Sequence, residues 1–432
     1  MDHFVYREGR LHAEEVPIDT IAERVATPVY VYSSATLERH FRVFDAALAP
    51  LDRLTCFAVK ANANRSVLAT LARLGAGADV VSGGELGRAL AAGIAPERIV
   101  FSGVGKTRAE MAQAMEAGIF QFNVESTAEL VALDAVARAF GSPAPVALRI
   151  NPDVESGTHE KIATGRRDTK FGIPWDEAMA AFALARRLPG IAVQGVDVHI
   201  GSQLTRLEPF ATAFTRVAGL VHELRAAGHA IRTLDLGGGL GIPYDREGEE
   251  PPSPAEYGAM VHRLAEPLDC LLITEPGRLI AGNAGVLLSR VVHVKEAAGR
   301  RFIILDAGMN DLLRPALYGA RHEIVPVVEP VADAPRTPAD VVGPVCETAD
   351  RFARDVPLPP LEAGDLVVLR SAGAYGASMA STYNGRDLVP EVLVRGREMA
   401  VVRERRDWRH FLSFEPPAPW LDLDKNAPEG SQ

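Results

Sequence analysis

A lysine at the end of an apolar run is the first residue in this sequence that could do chemistry. Residues 54–59 are apolar and β-prone, so Lys60 falls where a buried strand is expected to end. Such a lysine is commonly a solvated strand terminus. The alternative is an amine in a dry pocket, where burial lowers the pKa from its free value of about 10.4 and leaves a nucleophile for Schiff-base chemistry.

Polar residues also close several of the other apolar runs. They are Asp79 and Glu85 around the second run, Arg149 at the fifth, His199 at the sixth, and Glu275, Pro276, Gly277 and Arg278 after the eighth. Singly, each has an ordinary interpretation: Asp79 could cap a helix, and His199 could be a core histidine. Chemistry in a barrel of parallel strands lies at the carboxyl ends of those strands, so a collection of polar residues there indicates an active site.

A glycine-rich turn follows the seventh run. Gly237, Gly238 and Gly239 do not fit the G-x-G-x-x-G dinucleotide pattern, because residue 242 is isoleucine. The turn is either a tight strand-to-helix connection or a phosphate site, which loops after the last barrel strands often provide.

A phosphate on this turn, an amine at Lys60 and a carboxylate at Glu275 are three fixing points for pyridoxal phosphate. Glu275 is expected to pair with the ring nitrogen and keep it protonated. His199 is then expected to stack on the ring, and Arg149 to hold Glu275 or the phosphate.

Strand and helix patterns alternate eight times in the middle of the chain. Helical segments such as 66–74, 84–92 and 126–140 separate the apolar runs, which predicts an α/β fold of the (β/α)8 (TIM barrel) type. The eight runs are Leu54–Val59, Ala78–Val81, Arg98–Phe101, Phe120–Val124, Val146–Ile150, Gln194–His199, Thr233–Leu236 and Leu271–Thr274. A long polar gap over 151–172 is either disordered or a functional lid.

The sequence on either side of the barrel has a different pattern of residues. After residue 282, short β-prone runs separated by turn residues predict a mostly β domain, an antiparallel barrel or sandwich. Strands near residues 4–6 and 29–32 are expected to join it. We therefore predict a barrel over 34–282, a β domain from 1–33 and 283–414, and a loosely held tail over 415–432.

The composition of the chain limits which partners and which cellular location are expected. The chain has 432 residues and a net charge of -10, which argues against nucleic acid or an anionic membrane as partner. It contains neither a signal-peptide pattern nor an apolar run of membrane-spanning length. Cys56, Cys270 and Cys346 form no disulfide framework, and the absence of CxxC and HExxH patterns predicts no metal. A reducing cytoplasm is the simplest location.

Seven segments, running in order over residues 30 to 395 or so, resemble the fold-type III pyridoxal phosphate-dependent decarboxylases. Within that family they resemble the branch that acts on diaminopimelate. Each segment alone is weak evidence, but seven in family order are highly specific. They are 57–62 (FAVKAN), 199–203 (HIGSQ), 236–244 (LGGGLGIPY), 275–278 (EPGR), 311–318 (DLLRPALY), 343–348 (GPVCET) and 373–376 (GAYG).

The resemblance implies roles for particular residues. Lys60 is implied to bond covalently to the cofactor, and Ser202, Gly239 and Tyr375 to contact its phosphate. The residues implied to hold the distal end of the substrate are Arg278, Arg314, Tyr318, Glu347 and Tyr375. Cys346 is implied to reach the site from the other subunit of a homodimer and to protonate the carbon that loses CO2. The implied reaction converts meso-2,6-diaminopimelate to L-lysine and CO2, the last step of lysine biosynthesis.

Three alternatives stay open at this point. A sister decarboxylase of ornithine, arginine, lysine or carboxynorspermidine would have no distal carboxylate for Arg314 and Tyr318 to meet in its single-carboxylate substrates. An alanine-racemase-like enzyme would have no place for the segment around Cys346 and Glu347. A pyridoxal phosphate-carrying regulator or an inactive paralogue would have no need of Lys60, Glu275 and Cys346 together.

Overall fold

The computed structural model describes residues 2–155, 165, 169–244 and 250–421. The chain begins with three short strands that form a small antiparallel sheet, followed by a helix and a strand that leaves for the C-terminal domain. These elements are β1 (Phe4–Arg7), β2 (Arg10–Ala13), β3 (Val16–Pro17), α1 (Ile18–Val25) and β4 (Val29–Ser33).

Eight parallel strands then close into a barrel, which confirms the predicted fold. Their residues are mostly apolar and mostly buried, as expected of parallel strands covered on both faces. The last strand pairs with the first, and Ile273 lies opposite Leu54. The barrel strands are β5 (Arg53–Ala58), β6 (Gly77–Val80), β7 (Ile99–Phe101), β8 (Gln121–Val124), β9 (Ala144–Asn151), β11 (Ile191–Asp197), β12 (Thr233–Asp235) and β13 (Leu271–Thr274), with a two-residue strand β10 (Ile173–Pro174) beside β9.

Helices connect these strands around the outside of the barrel. Local sequence explains where several begin: Ser82, Thr107, Ser126 and Ser253 each accept a hydrogen bond from the backbone three residues on, which satisfies a free N–H of the first turn. The helices are α2 (Ser34–Ala47), α3 (Arg65–Ala72), α4 (Gly83–Ala91), α5 (Arg108–Ala117), α6 (Thr127–Phe140), α7 (Ala178–Ala185), α8 (Glu208–Ala226), α9 (Pro254–Ala265) and α10 (Arg278–Ala281). None of the helices in the described ranges is long and apolar enough to cross a membrane.

The C-terminal domain is mostly β. Its main sheet runs β18-β17-β15-β14-β4-β20-β21, and β19 pairs with β14 and β16. Because β4 lies between β14 and β20, the predicted strand near residues 29–32 joins this sheet as expected. The predicted strand near residues 4–6 instead belongs to the separate sheet β1-β2-β3, which packs against this domain. The elements are β14 (Gly285–Ala297), β15 (Arg300–Leu305), α11 (Arg314–Tyr318), β16 (Ile324–Pro326), β17 (Thr337–Val342), β18 (Arg351–Leu358), β19 (Leu366–Leu369), β20 (Glu391–Arg395), β21 (Glu398–Arg403) and α12 (Trp408–Leu412).

Short 3-10 turns punctuate both domains. They lie at Val59–Ala61, Pro96–Arg98, Trp175–Glu177, Glu266–Leu268, Ala377–Met379 and Tyr383–Gly385. The predicted lid over 151–172 falls mainly on residues 156–164 and 166–168, which lie outside the described residues. The tail has neither helix nor strand over 415–421, and residues 422–432 lie outside the described residues as well.

Candidate active site

Lys60 lies at the carboxyl rim of the barrel. Strand β5 ends at Ala58, and the 3-10 turn that follows carries the lysine above the neighbouring strand. Its Nζ donates a hydrogen bond to Oδ2 of the fully buried Asp79 at 2.7 Å.

This pairing corrects the expectation that the lysine has a lowered pKa. Burial does lower the pKa of Lys60, but the Asp79 and Glu275 carboxylates outweigh it, so the pKa is raised overall. The free lysine is therefore an ammonium ion in this site. Sequence reasoning included the burial of the amine but not the charge of the neighbouring strand ends.

A cluster of buried carboxylates faces the lysine. Oxygen atoms of Asp197, Asp235 and Glu275 lie within 4.8 Å of one another. Asn123 Nδ2 donates to Asp235 Oδ2 at 3.0 Å and to Glu275 Oε1 at 3.2 Å, and Ser102 Oγ donates to the same Glu275 oxygen. Burial raises the pKa of all three carboxyl groups, that of Asp235 to about 8. The cluster thus favours a cationic ligand or a bound proton.

Such a cluster has the geometry to hold a metal ion as well as a cationic ring nitrogen. Hydrogen-bond donors already engage Asp235 and Glu275, since Gly237 N–H donates to Asp235 Oδ1 at 2.9 Å in addition to the Asn123 and Ser102 contacts. A pyridinium nitrogen would supply positive charge with a single further contact. The absence of a metal at this cluster stays a prediction from the sequence.

Arg149 pairs with acidic groups at the ends of neighbouring strands. Its Nη1 donates to Glu125 Oε1 at 3.0 Å, and its Nε lies 4.0 Å from Asp197 Oδ2. Glu125 directly follows β8, whose register with β9 pairs Val124 with Leu148 and so brings the two side chains together. The arginine therefore neutralises acidic groups beneath the site, and its contact with a bound phosphate stays a prediction.

The three glycines form a turn that admits no side chain. A Cβ on Gly237 would lie 2.5 Å from His199 Nδ1, one on Gly238 2.2 Å from the Glu275 carbonyl oxygen, and one on Gly239 2.4 Å from the Gly201 carbonyl oxygen. Gly239 also has φ of +106°, in the range that favours glycine. Bare backbone therefore faces the cleft, as a phosphate site requires.

His199 is a neutral ring beside this turn. Its Nδ1 accepts a hydrogen bond from Gly238 N–H at 3.1 Å, so the proton of the neutral ring lies on Nε2. Burial lowers the pKa of His199 well below its usual value, and the charges of Arg149 and Lys60 lower it further. An uncharged imidazole is suited to stacking on a cationic ring.

A single cleft lies between these residues. Eleven of the thirteen predicted cofactor residues line it, the exceptions being Asp79 and Arg149. The eleven are Lys60, His199, Ser202, Gly237, Gly238, Gly239, Glu275, Pro276, Gly277, Arg278 and Tyr375. Tyr375 comes from the C-terminal domain, and its N–H donates to the Ala61 carbonyl at 2.8 Å. The amine, the bare turn, the neutral imidazole and the acidic cluster together fit pyridoxal phosphate.

Two buried arginines meet across an aromatic ring next to this cleft. Arg278 Nη1 donates to Tyr244 Oη and Nη2 to Ser202 Oγ, each at 2.7 Å. The Arg314 guanidinium lies 4.4 Å from the centroid of the Tyr244 ring, and its Nη1 contacts His322 Nε2 at 3.0 Å. Within the described ranges, neither guanidinium has a carboxylate within ion-pair distance.

Tyr318 ends α11, the helix that Arg314 begins, and is half-buried. Sequence reasoning missed several residues of this region: Ser102, Asn123, Glu125 and Asp197 beneath the cofactor cleft, and His322 beside Arg314. A signal existed for Asn123, which is a polar residue inside an apolar run. His322 stands in a stretch with no distinguishing pattern.

Cys346 and Glu347 lie on the exposed surface of the C-terminal domain and do not line the cleft. Cys346 N–H donates to Asn384 Oδ1 at 3.0 Å, and Tyr383 Oη donates to Glu347 Oε1 at 2.5 Å. The two predicted site residues are thus held in place within their own domain, away from the cleft that Lys60 lines.

Comparison with known proteins adds an independent line of evidence. The family model of the pyridoxal binding domain of pyridoxal-dependent decarboxylases matches residues 34–282. The diaminopimelate decarboxylase of Zymomonas mobilis is 50% identical over 421 residues, which cover 97% of this chain and 99% of that protein. That of Pseudomonas aeruginosa is 51% identical over 419 residues, covering 97% and 100%.

Solved structures agree. Diaminopimelate decarboxylase from Helicobacter pylori, complexed with L-lysine, is 40% identical, with a TM-score of 0.88 over 92% of this chain and 99% of that one. The M. jannaschii enzyme, also in complex with L-lysine, is 36% identical, with a TM-score of 0.92 over 97% and 99%. The similarity covers both domains and therefore the whole site, and this chain belongs to the pyridoxal-dependent decarboxylases and, within them, to the diaminopimelate decarboxylases.

Proposed function

We propose that this protein decarboxylates meso-2,6-diaminopimelate to L-lysine and CO2, the last step of lysine biosynthesis, with pyridoxal phosphate as cofactor. The observation that carries this proposal is the pair of buried guanidiniums, Arg278 and Arg314, beside the cofactor cleft with neutral partners only. Burying a cation without an anion costs free energy. The described residues provide no carboxylate for these two guanidiniums, so a carboxylate of the substrate is the expected partner.

The cofactor supplies an aldehyde that takes up the substrate amine and a ring that accepts the electrons left behind when CO2 departs. Lys60 is the residue that holds it covalently. Glu275, supported by Asn123 and Ser102, is placed to face the ring nitrogen, and His199 to cover the ring. The turn at 237–239 offers backbone N–H groups to the phosphate, together with Ser202 and Tyr375.

A positive ring nitrogen at Glu275 also affects Lys60. The pKa of the lysine is raised because buried carboxylates stabilise its ammonium form. A cation held at Glu275 would reduce the stabilisation that this carboxylate gives to the ammonium, although Asp79 keeps its hydrogen bond to Nζ, so removing the lysine proton would cost less. The acidic cluster would thus serve both to bind the cofactor and to release the neutral amine.

The distal end of the substrate identifies the substrate within the family. Diaminopimelate keeps a second amino-carboxylate after the reaction, and L-lysine carries the same group. Arg278 and Arg314 can take its carboxylate, since a guanidinium binds carboxylates with paired N–H donors. The related enzymes solved with L-lysine support this assignment. Tyr318 and Tyr375 would complete the pocket.

We infer further that the enzyme is a cytoplasmic homodimer with shared sites. Cys346 and Glu347 are exposed and fixed by Asn384 and Tyr383, which suits residues that a partner subunit receives. Cys346 would donate a proton to the carbon that loses CO2, and Glu347 would meet the distal ammonium. In this arrangement the barrel of residues 34–282 supplies most of the cofactor site, and the domain of residues 1–33 and 283–414 adds Tyr375 to it and presents Cys346 and Glu347 to the partner.

The test is CO2 release from diaminopimelate, ornithine, arginine and lysine, each supplied separately to the purified holoenzyme. We expect rapid release from diaminopimelate alone. Arg314→Ala should reduce its kcat/KM by roughly 30-fold or more, because a lost charge-assisted pair in a buried site costs about 2 kcal/mol or more. The absorbance of bound cofactor should be unchanged.

Comparable turnover of ornithine or arginine would instead favour a sister decarboxylase. Release from none of the four substrates, with the cofactor bound, would favour an inactive carrier of pyridoxal phosphate.

A further inference from the structure

We propose that His322 is a positioning residue that sets Arg314 for the distal carboxylate, using a neutral Nε2 as acceptor for one guanidinium N–H. The proposal rests on the function proposed above and deepens it. No alternative role is visible for His322, since it is buried, lies outside the cofactor cleft and has both ring nitrogens engaged.

The two partners of the ring define its protonation. Nδ1 lies 2.8 Å from the backbone carbonyl oxygen of Arg370, which can only accept a hydrogen bond. Nε2 lies 3.0 Å from Arg314 Nη1, which can only donate one. Only the neutral ring with its proton on Nδ1 satisfies both contacts. Burial, and then the charge of Arg314, lower the pKa of His322 to about 3, in agreement with this geometry.

Tyr244 holds the arginine from a second side. Its ring centroid lies 4.4 Å from the Arg314 guanidinium carbon and 5.3 Å from the His322 ring, which it meets edge-on at 79°. The Tyr244 hydroxyl accepts a hydrogen bond from Arg278 Nη1 at 2.7 Å. Arg314 is therefore held by the His322 acceptor and by the face of the Tyr244 ring. Tyr244 also links Arg314 to Arg278 through its hydroxyl group.

This link joins the two domains. His322 is anchored to Arg370, the residue after β19, so Arg314 is positioned by the C-terminal domain. Arg278 begins α10 in the barrel. Glu323 N–H donates to the Tyr244 carbonyl at 3.3 Å, which ties the barrel loop to the segment that carries His322. The distance between the Arg278 and Arg314 guanidiniums therefore depends on the contact between the two domains. That distance in turn limits the length of the substrate that fits between them.

Two substitutions of His322 separate its two hydrogen bonds. His322→Asn keeps a donor near the Nδ1 position, toward Arg370, and removes the acceptor for Arg314. His322→Gln places an amide oxygen near the Nε2 position and keeps that acceptor. The measurement is the dissociation constant of the holoenzyme for L-lysine and for 1,5-diaminopentane, which is L-lysine without its carboxylate, by titration calorimetry.

We expect wild type to prefer L-lysine. His322→Asn should weaken L-lysine binding about tenfold or more and leave diaminopentane binding unchanged, because the lost hydrogen bond involves a charged group. His322→Gln should stay within about threefold of wild type. Equal losses in the two variants, or losses that diaminopentane shares, would show a role in folding alone and overturn the proposal. If wild type itself does not prefer L-lysine, the distal carboxylate pocket of the proposed function fails first.

A measurement on the unaltered protein covers the case in which both variants fold poorly. Nitrogen-15 NMR of histidine-labelled holoenzyme should show one ring that stays neutral, with its proton on Nδ1, from pH 8 down to pH 5. The signal is assigned by its loss in His322→Gln, or by elimination among single variants of the other histidines. A charged ring, or a proton on Nε2, contradicts the proposal.

Discussion

Single residues of this site have ionisation states that their neighbours decide. Burial lowers the pKa of a lysine or histidine and raises that of a carboxyl group. His199 and Glu275 follow this rule, whereas Lys60 reverses it because Asp79 lies 2.7 Å away. The raised pKa of Lys60 thus reflects the carboxylates that lie near it at the barrel rim.

A buried carboxyl group near Arg314 gives a prediction about pH and stability. Asp311 lies three residues before Arg314, and its Oδ2 accepts a hydrogen bond from Gly308 N–H at 2.9 Å. Burial raises its pKa to about 7 from the usual value near 3.8. The folded protein therefore keeps a proton that the unfolded chain loses above pH 4. This contribution to stability is complete below pH 4 and is lost as the pH rises through 7.

Asp311→Asn should remove that loss, because the amide mimics the protonated carboxyl group. Between pH 5 and pH 8, the unfolding free energy of wild type should fall relative to the variant by roughly 2 to 3 kcal/mol. Urea unfolding of both proteins at the two pH values measures the difference. Asp333→Asn, at an exposed position, serves as the control and should follow wild type. A constant gap between Asp311→Asn and wild type would contradict the prediction.

At the scale of an element, the turn after β12 depends on the backbone alone. Strand β12 pairs with β11 on one side and β13 on the other. The turn that follows it therefore lies between Gly201, which comes after β11, and the Glu275 carbonyl, which comes after β13. The positive φ of Gly237 and Gly239 lets the chain double back there. A side chain on any of the three glycines would displace His199 or the backbone at Gly201 or Glu275.

Gly239→Ala should therefore weaken pyridoxal phosphate binding by about tenfold or more, since a residue forced into this conformation carries about 1 kcal/mol or more of strain besides the steric clash. Dialysis followed by cofactor titration, with the absorbance of the bound cofactor as readout, gives the dissociation constant. Gly219→Ala is the matched control, because Gly219 lies in α8 with no atom within 4 Å of an added Cβ. Equal cofactor affinity in both variants would show that the turn does not hold the phosphate.

At the scale of the whole molecule, the predicted site residues lie in two separate places on the chain. Lys60 lines the cleft of the barrel, whereas Cys346 is exposed on the other domain. A twofold axis that places each Cys346 against the cleft of the partner would build two complete sites from two chains.

Complementation between inactive variants tests this arrangement. Lys60→Ala removes the residue proposed to hold the cofactor, and Cys346→Ala removes the proposed proton donor, so each should be nearly inactive alone. After subunit exchange in an equal mixture, about half of the dimers should be mixed. Each mixed dimer has one site with both residues and one with neither, so about a quarter of all sites should recover activity.

Demonstrating the exchange is the control for this experiment, because mixtures that never form mixed dimers stay inactive for a trivial reason. Labelled subunits followed by native mass spectrometry provide it. A mixture that exchanges fully and remains inactive would falsify the shared site, since a site within one chain never contains both residues in any of these proteins.

The sequence by itself determined the elements and the cofactor chemistry, because both depend on local patterns. Buried parallel strands must be continuous apolar runs, so all eight barrel strands were recognisable, and glycine turns and strand-end polar residues marked one rim. Strands β17 and β18 are not among the β-prone runs recognisable after residue 282, because proline and charged residues interrupt them. Their pairing with each other and of β17 with β15 stabilises them instead. The recognisable runs are 285–294, 301–305, 365–369, 389–394 and 399–403.

Only the tertiary structure decided the partners of the charged groups. Arg149 pairs with Glu125 because their strands are neighbours in the barrel, and Lys60 is charged because Asp79 lies near the end of the next strand. His322 meets Arg314 through a loop that no periodicity describes. Electrostatic interactions depend on distance in space, which only the folded barrel and its second domain define.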